Sequence, residues 1–171
     1  MVTGMRVTFL DIDGVLNNSM HAMWLHENVA PGAGFGQPWE LDVGNITLET
    51  LGWDMNNVNA LMHIVEQTDT RIVISSTWRI GRRVPFFREC FAALELRPLI
   101  IGVTPVLRNI GTIRGDEVAE WLNVRGTGVE SFVCIDDDSD FHDDQPLVHV
   151  NNSVGLTMEN AEEAIDILLR R

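Results

Sequence analysis

Five short apolar runs restrict the fold of this chain more than any other feature: about 6–10 (RVTFL), 71–75 (RIVIS), 98–103 (PLIIGV), 131–135 (SFVCI) and 147–150 (LVHV). Each is continuous rather than alternating, which is how a strand reads when both of its faces are covered. Helical stripes lie between them. Val58, Leu61, Met62 and Val65 recur at i, i+3, i+4 and i+7, as do Ala161, Ala164, Ile165 and Leu168. A further helix over about 116–123 would bury Val118, Trp121 and Leu122. Thr157 precedes the last stripe as an N-cap, with Glu159, Glu162 and Glu163 early in it, where the helix dipole favours negative charge. Strands alternating with helices predict an α/β fold, a Rossmann-like doubly wound parallel sheet.

The 171 residues suit a single domain over 1–171, large enough for a full core. No apolar run approaches the roughly 18 residues of a membrane span. Arg6 is followed at once by a strand-like run and then acids, unlike a secretory leader, so a cytoplasmic location is expected. Cys90 and Cys134 sit in apolar contexts without a CxxC spacing and are expected as reduced core residues. One stretch, about 17–54, breaks the alternation with Gly, Pro, Asn and Trp and little periodicity. A loop this long is either functional or disordered, and Trp24, Phe35, Trp39 and Trp53 argue against disorder. It is expected to be a small cap-like insertion over the site. At least two of its four aromatics should form the insertion's own small core, leaving the others free to stack on a base.

Charge excludes one class of function. The 25 acidic residues oppose 12 basic ones, all arginine, for a net charge of −13. Extended nucleic-acid binding needs a broad basic face, so any phosphate must be held locally. Arg79, Arg82 and Arg83 in STWRIGRR form the one dense basic patch, either a solvated surface or a phosphate-facing one.

In an open parallel sheet, ligands bind beyond the carboxyl ends of the strands, where the winding reverses. The residues just after the apolar runs are Asp11 and Asp13, then Ser75 and Ser76, then Asp136, Asp137 and Asp138. Two acidic clusters would thus share one edge, at a cost of about 4 kcal/mol per pair at 4 Å with an effective dielectric near 20. A cation removes that penalty. The clusters offer only oxygen, with no histidine or cysteine, which favours Mg²⁺ over Zn²⁺. The five histidines are expected in surface or core roles.

DIDGVL resembles the first motif of the haloacid dehalogenase (HAD) superfamily of phosphotransferases, RIVISS its second and IDDDSD its fourth. Arg114 in IRGDEVAEWL matches the third, a basic residue near a helix start about 20 residues before the fourth. More narrowly, ISSTWR, RGDEVAEWL and VGLT resemble the small HAD domains of Swiss-army-knife RNA-repair proteins. The resemblance implies that Asp11 is the nucleophile and forms an aspartyl-phosphate. Asp13 would protonate the leaving oxygen and later activate water, its backbone carbonyl binding the metal. Gly14 would permit the unusual backbone after the strand. Ser75 would donate its hydroxyl to the phosphate, with Ser76 the competing assignment and the N–H groups of Ser76 and Thr77 in support. Arg79 would hold a second phosphate or the substrate's own. Arg114, where the superfamily more often has lysine, would offset phosphoryl charge; Arg108 is the alternative. Asp137 would ligate the metal beside Asp136, while Asp138 and Asp140 would be either outer-shell groups or, the favoured reading, a helix N-terminal cluster.

The function so implied is a Mg²⁺-dependent phosphomonoesterase acting on a nucleotide or polynucleotide terminal phosphate. The net charge keeps a sugar or other small-metabolite phosphatase in view. A noncatalytic HAD-fold interaction module is the third possibility, although a retired site has no need of this costly arrangement of charge.

Overall fold

The computed structural model describes residues 4–30, 41 and 43–170, and its centre is a sheet of five strands. These are β1 (Met5–Leu10), β2 (Arg71–Ile74), β3 (Ile100–Val103), β4 (Val129–Asp136) and β5 (Leu147–His149). Their order is β3-β2-β1-β4-β5, every neighbouring pair parallel. The chain lays β2 and β3 outward on one side of β1, then returns past it to place β4 and β5 on the other. The winding therefore reverses between β1 and β4, which makes their carboxyl ends the expected binding crevice.

Among the described residues six α-helices accompany the strands, five between them and one after the last: α1 (Ser19–Asn28), α2 (Leu48–Leu51), α3 (Met55–Thr68), α4 (Val84–Cys90), α5 (Arg114–Arg125) and α6 (Met158–Leu169). Successive strand residues point to opposite faces, and both faces are covered. Leu10, Ile72, Ile74, Val133 and Ile135 pack with Val58, Leu61 and Ile64 of α3, Phe87 of α4 and Ala161, Ala164 and Leu168 of α6. Val7, Phe9, Val73 and Cys134 pack on the other side with Val118 and Trp121 of α5. Trp121 meets Phe9 edge to face, ring centroids 5.4 Å apart. Two-sided burial is why the strands read as unbroken apolar runs.

Several boundaries differ from the sequence reading. β3 begins at Ile100 rather than 98, because Arg97–Leu99, with its proline, forms a 3₁₀ turn. β4 extends to Val129–Asp136, and α5 outruns its predicted 116–123 at both ends. Within 17–54, α1 and α2 are helical. α1 carries no detectable stripe because Ala22 is its one buried residue. The insertion's expected aromatic core is not met by the two aromatics that can be placed. Trp53 packs into the main core, 4.8 Å from the Phe91 ring, and Trp24 is exposed, stacked on His21. Phe35 and Trp39 lie outside the described residues. Cys90 and Cys134 are free and buried, as expected. Among the described residues no helix is long and apolar enough to cross a membrane.

Candidate active site

Register builds the site. Leu10 at the end of β1 pairs with Ile74 of β2 and with Ile135 of β4. Asp11, Ser75 and Asp136, each one residue further on, therefore stand in a row at the carboxyl edge. The backbone locks the row: Asp11 N–H donates to the Ile135 carbonyl (3.0 Å) and Ser75 N–H to that of Leu10 (2.9 Å).

Asp11 is 5% exposed and Asp136 1%. One carboxylate oxygen from each of Asp11, Asp136 and Asp137 lies within 4.8 Å of the other two. Burial, and after it the charge of Asp136, push the Asp11 carboxyl well above its ordinary range; Arg114, the Ser76 hydroxyl and the Ile12 N–H oppose this. Asp136 is pushed up to about 6 by burial, against the pull of Arg114 and the Asp138 N–H. Asp136 Oδ2 is buried with no hydrogen-bond partner. An all-oxygen trio of strained acids with an unmet acceptor fits a hard divalent cation. Asn152 Nδ2 steadies Asp137 at Oδ2 (3.0 Å), and His149 Nε2 lies 2.9 Å from the Asp137 carbonyl oxygen. Gly14 is required twice over: its φ is +74°, and a Cβ there would sit 2.4 Å from Asp137 Oδ2.

Of the two serines, Ser76 is the one whose hydroxyl reaches Asp11. It also accepts the Trp78 N–H (3.3 Å), capping the single 3₁₀ turn Thr77–Arg79. The carbonyls of both serines accept from Arg79. Thr77 stands exposed at the start of the turn. Arg114 opens α5, its own N–H donating to Asp140 Oδ2 (3.0 Å), so Asp140 does cap a helix. Its Nε lies 3.8 Å from Asp136 Oδ2, and its Nη1 is buried without a partner. Arg108 is exposed on the loop before α5. The Asp13 carboxylate stands outside the acidic trio. It accepts from Asn17 Nδ2 (2.8 Å) and Trp78 Nε1 (3.0 Å).

Arg79 corrects an expectation. It is 5% exposed and committed inward. Nε donates to the Thr104 carbonyl (3.1 Å), Nη1 to those of Ser75 (2.9 Å) and Ser76 (2.8 Å), and Nη2 to that of Pro105 (3.3 Å) and to Glu117. Glu117, also buried, accepts the Leu107 N–H (3.1 Å) as well. No donor is left for a second phosphate. The arginine instead ties the ends of β2 and β3 to α5. Glu117, Trp78, Asn17 and Asn152 were not anticipated. The available signal was the WR pair directly after a strand-end serine, since a purely solvated loop gains nothing from a tryptophan.

Comparison with protein families matches residues 7–161 to the family described as the HAD domain in Swiss Army Knife RNA repair proteins. The chain belongs to that HAD family. No curated protein and no solved structure matches it. The match to the HAD domain runs from β1 into α6 and so spans every strand end described above. Membership supports a phosphatase-like function of the HAD type.

Proposed function

We propose that this HAD domain is a Mg²⁺-dependent phosphomonoesterase that works through an aspartyl-phosphate on Asp11. The observation that carries this reading is a pair of opposite unmet demands beside a buried carboxylate: Arg114 Nη1 lacks an acceptor and Asp136 Oδ2 lacks a donor or cation. Asp11, Asp136 and Asp137, with the Asp13 carbonyl, would hold Mg²⁺, which when bound neutralises the acids and polarises a phosphoryl oxygen.

The remaining work belongs to side chains. The Asp11 carboxylate attacks phosphorus in line, forming a P–O bond as the ester P–O bond breaks. Arg114 Nη1 and the Ser76 hydroxyl donate to the nonbridging oxygens as charge builds on them. Asp13 gives its proton to the leaving oxygen. It then takes one from the water that splits the acyl-phosphate, releasing inorganic phosphate and restoring Asp11.

For substrate, we assign the terminal phosphate of a nucleotide or polynucleotide, supported by the RNA-repair setting of the family. The segment 17–54 would choose the leaving group, with Trp24 exposed on α1 as a surface for a base. A small-metabolite phosphatase is the second reading, favoured by the net charge of −13.

Phosphate release with Mg²⁺ from 3′-phosphorylated oligonucleotides, 5′-phosphorylated oligonucleotides, mononucleotides and a sugar phosphate separates these readings. Turnover should fall on the order of 10⁴-fold or more in Asp11→Asn, as for loss of a nucleophile. A wild-type protein inert on the whole panel would overturn the enzymatic reading in favour of an interaction module.

A further inference from the structure

Asp13 must meet two conditions if it is to serve the leaving group. Its carboxylate must stay off the cation that its backbone carbonyl would help to hold, and off Arg114. Packing imposes neither, because the residue is exposed and its neighbour Gly14 is in a left-handed conformation. A free carboxylate two residues from Asp11 would be drawn toward both positive charges.

Two N–H donors restrain it instead. Asn17 Nδ2 takes Oδ1 at 2.8 Å and Trp78 Nε1 takes Oδ2 at 3.0 Å. Asn17 is itself fixed, since its carbonyl accepts the Gly14 N–H (2.9 Å). Trp78 is the more rigid of the two. It is 3% exposed, its ring belongs to the main core, and its backbone N–H is capped by Ser76 Oγ. A tryptophan set this way has two side-chain torsions, both locked by packing, and one polar atom left to act. Each carboxylate oxygen has two lone pairs, so one N–H per oxygen still leaves room for a transferable proton.

We infer that Trp78 is a positioning residue for Asp13: a core-anchored indole N–H that holds the acid–base carboxylate apart from the metal-binding trio. The inference rests on the phosphomonoesterase reading. One 3₁₀ turn then serves both ends of the reaction, Ser76 at the phosphoryl group and Trp78, through Asp13, at the leaving oxygen.

A merely structural tryptophan would not distinguish leaving groups, and this one should. Glycerol phosphate expels a poor leaving group and needs a proton from Asp13, whereas 2,4-dinitrophenyl phosphate needs none. The test is kcat/KM on both esters for wild type, Trp78→Phe, Asn17→Ala and Asp13→Asn. Trp78→Phe keeps a ring in the core and deletes the N–H. It should lower kcat/KM on glycerol phosphate about tenfold more than on the dinitrophenyl ester, with Asp13→Asn marking the largest selective loss, about 10² or more. This ratio does not depend on the fraction of protein that folds. Should Trp78→Phe not fold at all, Asn17→Ala must show the same selective loss. Equal losses on the two esters, or none, overturn the inference while leaving the phosphatase reading intact. A wild type inert on both overturns that reading and the inference with it.

Discussion

Two arginines, Arg79 buried and Arg114 half-buried, stand at the same edge of the sheet and meet their acids in opposite ways. Arg79 donates to four backbone carbonyls and to Glu117, and nothing about it is left over. Arg114 stays 3.8 Å from Asp136, with an unpartnered Nη1 on one side of the gap and an unpartnered Oδ2 on the other. Buried polar groups in folded proteins are nearly always satisfied. The saturated pair is therefore frame, and the open pair is where, on the proposed reading, a ligand would complete the hydrogen bonding.

Breaking each pair should have different consequences. Arg79→Met strands a buried Glu117 and frees four carbonyls, so it should cost about 3–5 kcal/mol of folding stability, read from the urea midpoint. A loss under about 1 kcal/mol would mean the pair is not frame. Arg114→Met should instead lower kcat about 10²–10³-fold while stability moves by no more than about 1 kcal/mol. Equal destabilisation by the two substitutions would erase the contrast.

The smallest expected effect is on pH dependence. Folded Asp136 titrates near 6 against an ordinary 3.8. An acid with a raised pKa favours the fold fully below about 4 and loses that favour as pH climbs through 6. The Tm without metal should therefore fall by a few degrees between about pH 4 and 7. Asp136→Asn should flatten the decline, and Mg²⁺ should reverse it near pH 7, because the ion selects the ionised form. A Tm profile identical in wild type and Asp136→Asn would show that this carboxyl carries no strain.

Strand ends were legible because an apolar run stops where its edge meets solvent, and the acids follow at once. The apolar runs alone place Asp11, Asp136 and Asp137 on one edge, and strand register sets them side by side. Ser75 and Ser76 could not be separated, since a one-residue error at a strand end turns the side chain to the other face. Composition makes Arg79, Arg82 and Arg83 look alike, which hides the inward course of Arg79. Arg79 is the buried one, turned toward Glu117 and the carbonyls at the ends of β2 and β3, while Arg82, half-buried, lies over the Phe86 ring at 4.3 Å and donates to the Leu41 carbonyl (2.6 Å). The α1 helix left no periodic trace because it buries almost nothing.

The central place of β1 has one more consequence. A nascent chain that ends before residue 129 already contains Asp11, Asp13 and Ser76 but lacks the strand that brings Asp136 and Asp137 to them. On the proposed reading, synthesis must pass the fourth strand before a phosphate ester can meet a complete site, so products truncated before it should release no phosphate.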